Sequence, residues 1–242
     1  MRTLVVAPTY IEAENIPEFL PRVRKAVPDA DILVVDDNSP DGTGARAEEL
    51  ARELGHIEVL HRPVKTGLGE AYRAGFTVGL ERGYEVLVQI DSDLSHDPAV
   101  LPQLLDAVDK GADLVIGSRY VPGGSVPHWP WFRRALSKYG NRYSNFMLKV
   151  GAHDLTAGYR TCPADTLKAI DFATTRAQGY GFQIELAYRV SKWGGRIVEV
   201  PITFTDRVRG HSKMSWKVAV EEMRLVTEWG LRDRFGRKGV HA

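Results

Sequence analysis

Asp91 and Asp93 stand one residue apart at the end of a short apolar run, Val86-Leu87-Val88-Gln89-Ile90. Carboxylates in this pattern, with no cysteine nearby, are hard oxygen ligands that suit Mg²⁺ or Mn²⁺. Those ions prefer to share their coordination shell with substrate phosphates, so the chemistry on offer is the handling of a phosphate or diphosphate. The plainer reading is a polar strand-to-helix turn, with Asp97-Pro98 opening the next helix. The elements around the pair have to decide between the two.

The apolar run at 86–90 has the length of a buried strand, and several like it precede it. Residues 3–8 read as a first strand ending in Pro8-Thr9-Tyr10-Ile11-Glu12-Ala13-Glu14-Asn15. Ile32-Leu33-Val34-Val35 is a second, ending in Asp36-Asp37-Asn38-Ser39-Pro40-Asp41-Gly42-Thr43. Residues 57–60, 113–117 and 196–202 read as further strands, with helices expected at about 16–27, 44–54, 69–83, 98–109, 182–193 and 216–231. Such alternation predicts an α/β fold with a doubly wound, mostly parallel sheet flanked by helices. Ligands of such sheets lie beyond the carboxyl ends of the strands, where Asp91 and Asp93 are expected. A dinucleotide-binding fold would place G-x-G-x-x-G directly after the first strand; Pro-Thr-Tyr-Ile-Glu stands there instead.

Composition narrows the function classes. The formal net charge of +1 over 242 residues argues against a nucleic-acid binder. A single cysteine, Cys162, excludes an internal disulfide and a cysteine-based zinc site, and is expected to be structural. The amino-terminal apolar run is too short for a signal peptide, and no stretch approaches the roughly 20 apolar residues of a membrane span. The expected location is cytoplasmic, with association at a membrane surface left open.

Beyond Gly117 the character changes. Residues 114–153 hold no acid but six bases, Arg119, Arg133, Arg134, Lys138, Arg142 and Lys149, mixed with Trp129, Trp131, Phe132, Tyr139, Tyr143 and Phe146. Part of this stretch must pack on the core, but the mixture also suits an anionic membrane surface or capture of a lipid phosphate. Residues 154–163 read as a structured loop in which Asp154 is expected to be structural. Arg207, Arg209, His211 and Lys213 form a basic loop fit to close over a diphosphate. The last helix carries Val218, Leu225, Val226 and Trp229 at helical spacing, a packing stripe.

Taken in order, these pieces resemble the family 2 glycosyltransferases of GT-A fold, and among them the polyprenol (dolichol) phosphate mannose synthases. The resemblance runs from about residue 3 to 217. It is carried by Pro-Thr-Tyr-x-Glu-x-Glu-Asn at 8–15, Val-Val-Asp-Asp-Asn-Ser-Pro-Asp-Gly-Thr at 34–43 and Asp-Ser-Asp-Leu-Ser-His at 91–96. Gly-Ser-Arg-Tyr at 117–120, Asp-Leu-Thr-Ala-Gly-Tyr-Arg at 154–160 and the loop from Arg207 to Lys213 complete it.

The resemblance implies GDP-mannose as donor, a polyprenyl phosphate as acceptor, Mg²⁺ or Mn²⁺ as cofactor and inversion at the anomeric carbon. Pro8, Tyr10, Glu12, Val35 and Asp37 would hold the nucleoside, and Ser92 would lie near the sugar nucleotide. Asp91 and Asp93 would bind the metal, with Ser95 where some members carry a glutamine ligand. Arg119, Arg133 and Ser137 would meet the acceptor phosphate, and Arg207 and Lys213 would clamp the diphosphate. Gly181 falls where some members carry a lysine. One GT-A catalytic domain is expected over 1–231, with 119–150 and 213–231 as membrane-interfacial helices and 232–242 as a flexible tail. The expected place is the cytoplasmic face of a membrane, with room for a membrane-anchoring partner protein and none for nucleic acid. Two alternatives stay open: a polyprenyl-phosphate glucosyltransferase using UDP-glucose, and a non-catalytic nucleotide-binding subunit of a membrane complex.

Overall fold

The computed structural model describes residues 1–207 and 216–235. Among these residues seven strands, β1 (Thr3–Thr9), β2 (Asp31–Asp36), β3 (Ile57–His61), β4 (Val86–Gln89), β5 (Leu114–Ser118), β6 (Arg160–Pro163) and β7 (Ile197–Pro201), form one sheet. Its order is β3-β2-β1-β4-β6-β5-β7, and only β6 runs against its neighbours.

Helices cover both faces, which is why the strands read as continuous apolar runs. Val5, Ala7, Ile32, Val34 and Val88 face α1 (Ile16–Ala26), α2 (Thr43–Leu54) and α4 (Leu101–Asp109), meeting Phe19, Leu20, Leu50 and Leu104. Leu4, Val6, Leu33, Val35 and Leu87 face α3 (Leu68–Glu81) and α7 (Gly179–Trp193), meeting Tyr72, Phe76, Phe182 and Leu186. The short α6 (Ala164–Ala169) follows β6 directly. The long α5 (Trp131–Leu148) and α8 (Trp216–Phe235) pack against each other, and α8 also meets α7.

Two expectations need correction. Residues 160–163 are a strand rather than part of a loop: β6 is antiparallel to both β4 and β5. Arg-Thr-Cys-Pro has no apolar run, so neither its burial nor its pairing shows in a hydropathy pattern. The last helix passes Leu231 and continues to Phe235, with Arg234 donating to the Phe146 carbonyl and lying over the Phe146 ring. Cys162 is buried and faces the Asp113 carbonyl, and burial pushes its thiol far above the ordinary range, as a structural cysteine should be.

The reversed strand has a consequence for function. The amino end of β6 lies at the same edge as the carboxyl ends of β1, β2, β4 and β5. The segment 154–158, which enters β6, is thereby delivered to the edge where Asp91 and Asp93 stand.

Candidate active site

The donor side is assembled by strand register. Pro8 lies opposite Val35 and Thr9 opposite Asp36, so the chain leaves both strands side by side. Asp37 N–H donates to the Thr9 carbonyl at 3.1 Å, and Ser92 Oγ donates to the Pro8 carbonyl at 3.0 Å. Tyr10, Asp37 and the start of the Asp-Ser-Asp loop therefore share one crevice. Asp36 is absorbed by structure, accepting from Thr9 Oγ1, Ser39 N and Ser39 Oγ. Asp37 is buried and pairs with Arg62 at 2.5 Å. Burial and the neighbouring Asp36 charge raise its carboxyl, against the pull of Arg62. Lys65 Nζ sits 3.9 Å from the centre of the Tyr10 ring. Arg62 is a site residue that sequence reasoning missed, because one arginine after a strand has no distinguishing pattern.

At the end of β4, the two acids are held differently. Asp91 is half-buried, and its Oδ1 accepts from the Tyr72 hydroxyl at 3.1 Å. Tyr72 is fully buried in the first turns of α3, and burial with the Asp91 charge raises its phenol well above the ordinary value, so it stays a donor. Gly158 closes the other side: a Cβ there would come within 3.1 Å of Asp91 Oδ2. Asp93 is buried, with Oδ1 accepting from Ser95 N at 3.0 Å and Ser95 Oγ at 2.5 Å. Its Oδ2 lies 2.8 Å from Arg207 Nε, and Arg207 also approaches Glu12 at 3.9 Å. Ser95 thus orients Asp93 through its hydroxyl. Behind it, His96 packs between the Tyr159 and Phe204 rings, and burial lowers its pKa to about 4.

The donor set fits a hard divalent cation. Both candidate ligands are carboxylates on one loop, and among the described residues no third His, Cys, Asp or Glu joins them. A two-carboxylate site matches an ion whose remaining positions go to phosphate and water. Tyr72→Phe removes a hydrogen bond from one carboxylate without touching the space for the ion. Loss of such a supporting bond is expected to weaken Mn²⁺ affinity by about tenfold, as read by calorimetry on the folded variant.

The other half of the site is cationic and cross-braced. Arg119, one residue past β5, is buried and grips Asp154 through Nε at 2.7 Å and Nη2 at 2.6 Å, with Thr156 Oγ1 at 2.7 Å. Asp154 is fully buried; burial alone would raise its carboxyl, but the Arg119 charge and hydrogen bonds hold it below the usual range. Arg160 makes no hydrogen bond to Asp154. Its guanidinium donates to the carbonyls of Ala157, Leu155 and Gln183, which fixes the 155–157 turn, and burial lowers it to about 10.

Arg133 opens α5 and lies over the Trp129 indole, 4.0 Å from its centre, while Arg119 lies 5.5 Å from the same ring. Ser137, one turn on, accepts from the Tyr120 hydroxyl at 2.7 Å. The three residues expected to meet an acceptor phosphate are therefore grouped around Trp129 and Tyr120. Asp206 accepts from Trp129 Nε1 and from Arg133, while its neighbour Arg207 pairs with Asp93. This adjacent pair joins the two halves of the site, a link no residue type announced. Lys213 and the rest of the basic loop lie outside the described residues, as do residues 236–242 of the expected tail. Gly181 donates its N–H to Glu222 Oε1 from α8.

Comparison with known proteins agrees with this architecture. Residues 4–170 match the Glycosyl transferase family 2 model. A polyprenol monophosphomannose synthase of Mycolicibacterium smegmatis is 56% identical over 241 residues, covering 99% of this chain and 91% of the relative. An undecaprenyl-phosphate mannosyltransferase of Micrococcus luteus is 53% identical over 235 residues, covering 97% of this chain and 96% of that one. Glucosyl-3-phosphoglycerate synthase of Mycobacterium tuberculosis, solved with Mn²⁺, uridine diphosphate and glucosyl-3-phosphoglycerate, superposes with a TM-score of 0.67. It is 20% identical, covering 99% of this chain and 81% of that one, and so shares the fold. A paired-carboxylate loop at the carboxyl edge of a mostly parallel sheet, in a chain matched over most of its length, has one consistent account: this chain is a glycosyltransferase of family 2 with the GT-A fold.

Proposed function

We propose that this chain transfers mannose from GDP-mannose to a polyprenyl phosphate with inversion, releasing GDP and polyprenyl β-mannosyl phosphate. The observation that carries the reading is the bridge Asp206-Arg207, which ties Arg133 on the acceptor side to Asp93 on the donor side. A diphosphate leaving group and a phosphate nucleophile need two adjoining anion sites, and two arginines held close together by this bridge support that reading. The relatives named above support mannose and a polyprenyl phosphate as the substrate pair.

Pro8, Tyr10, Glu12, Val35 and Asp37 would hold the nucleoside in the crevice where β1 and β2 end. When bound at Asp91 and Asp93, with Ser95 or a water beside them, Mg²⁺ or Mn²⁺ supplies neutralisation of the diphosphate charge. The Ser92 backbone, between the two carboxylates, would lie near the sugar nucleotide. Arg207, already on Asp93, would turn with Lys213 toward the diphosphate and stabilise charge on the departing group. Arg119, Arg133 and Ser137 would hold the acceptor phosphate against the anomeric carbon. A phosphate oxygen is already ionised as a nucleophile, so the site needs no strong general base. The buried, neutral His96 and the Arg119-bound Asp154 are consistent with that.

The outer face of α5 supports work at a membrane surface on its cytoplasmic side. Trp131 is 80% exposed and Leu136 68%, with Phe132, Tyr139 and Phe146 also open to solvent. An apolar face bordered by Arg134, Lys138, Arg142 and Lys149 suits the interface of an anionic bilayer. Among the described residues, no helix is long and apolar enough to cross one.

The test is transfer of labelled mannose into an organic-extractable product with Mg²⁺, with Mn²⁺ and with EDTA, and with UDP-glucose as competing donor. Metal-dependent product from GDP-mannose is expected. Product from UDP-glucose alone would overturn the donor assignment, and no product from either, despite nucleotide binding, would indicate an assisting subunit.

A further inference from the structure

On the side of α5 away from the acceptor arginine, the structure has a second cationic site. A cavity of about 590 Å³ has Tyr120, Lys138, Arg142, Phe146, Lys149 and His153 among its lining. Lys138 and Arg142, four residues apart, share one face of α5, and Lys149, the residue that caps the helix in a left-handed turn, lines the same cavity. Arg133 and Ser137 lie more than about 100° around the same helix. Tyr120, bonded through its hydroxyl to Ser137, stands as the wall between the two sites.

The cations of this cavity are not used by the fold. Lys138 lies 5.7 Å from the Tyr120 ring, and neither Arg142 nor Lys149 makes an ion pair with any described residue. All three side chains are exposed. Glu199, bonded to the lining residue His153, is spent on that ring and on the backbone N–H groups of His153 and Asp154. Asn145 shapes the floor by binding both Gly151 N and the Ala152 carbonyl. One cation would complement the carboxyl end of α5; three exceed that need.

We infer that this cavity binds the headgroup of an anionic glycerophospholipid, apart from the acceptor phosphate. Charge complementarity selects a phosphate, and the aromatic face of α5 running alongside selects one presented by a bilayer. Phe146 belongs to both surfaces, so a lipid seated here has its headgroup in the cavity and its chains beside Tyr139 and Phe146. The inference rests on the membrane-surface reading above and adds a specific lipid class to it.

The test compares the intact protein with the triple variant K138Q/R142Q/K149Q, whose glutamines remove three exposed charges and preserve helix propensity at 138 and 142. Binding is measured on vesicles of phosphatidylglycerol with phosphatidylcholine, and of phosphatidylcholine alone. Transfer is measured on a short-chain, water-soluble polyprenyl phosphate. Near an anionic surface each cation contributes about fivefold, so the variant should bind the phosphatidylglycerol vesicles on the order of a hundredfold more weakly. Its binding to phosphatidylcholine and its turnover of the short acceptor should match the parent. Undiminished binding of the variant to phosphatidylglycerol would overturn the inference. Lost turnover on the short acceptor would overturn it too, by assigning the cavity to the acceptor path. Release of the parent from vesicles by inorganic phosphate at matched ionic strength would make it a free-phosphate site. If the parent binds no vesicle yet turns over the short acceptor, the membrane-surface reading itself fails.

Discussion

Asp91→Asn is expected to lower sugar transfer on the order of a thousandfold while leaving the fold intact. The amide keeps an oxygen that can accept from Tyr72, so the hydrogen bond recorded at 3.1 Å survives. What disappears is a charge facing the space proposed for the diphosphate and its cation. A loss of about 4 kcal/mol in transition-state stabilisation corresponds to that rate effect. The check is kcat/KM at saturating Mn²⁺ beside a thermal melt: a wild-type Tm with wild-type turnover would remove Asp91 from the chemistry. Asp93→Asn should match the loss of rate but disturb the free protein more. Its new amide N–H groups would face Arg207, which now lies 2.8 Å from the carboxylate.

The largest stability effect is expected at Asp154→Asn, and its cause is the partner left behind. Arg119 is 7% exposed and Asp154 is fully buried, so the two opposite charges meet in a poorly hydrated space. Removing one member of such a pair costs about 3–5 kcal/mol, because the remaining charge is buried without compensation. For a chain of this size that is a fall in Tm on the order of 10 °C. The sign of the pH dependence follows from the lowered carboxyl. Its contribution is present above the ordinary carboxylate pKa of about 3.9 and is lost as pH falls through the still lower folded value. The double variant R119M/D154L tests the origin of the effect. It should melt above Asp154→Asn, since no charge remains buried, yet stay inactive because Arg119 is proposed to meet the acceptor phosphate. Recovery of activity in the double variant would assign Arg119 to structure alone.

These two acids show how differently the site could be read from residue types. Asp91 and Asp93 declare themselves by spacing, by the strand in front of them and by the turn after them. All of those are local properties, so the strand end and the oxygen-donor chemistry were legible in the sequence. The buried runs at β1, β2, β4 and β5 were legible for the same reason: strands covered on both faces have no polar alternation to obscure them. The Pro-Thr-Tyr and Asp-Asp-Asn-Ser segments could likewise be placed at one edge, because parallel strands put their carboxyl ends together.

What tertiary structure decided was pairing across distance. Asp154 acquires its role by meeting Arg119, 35 positions earlier, and that meeting depends on β6 entering the sheet in reverse. Four residues as polar as Arg-Thr-Cys-Pro become a central strand only because their neighbours supply the hydrogen bonds and bury the side chains. Tyr72 belongs to the core face of α3 by every local criterion, and only the approach of β4 gives its hydroxyl to Asp91. Asp206 and Arg207 are adjacent in the chain but face opposite halves of the site, and the fold alone determines which partner each one finds. Local spacing sets ligand chemistry and strand ends; the partners of a buried charge follow from which segments the sheet brings within about 3 Å of it.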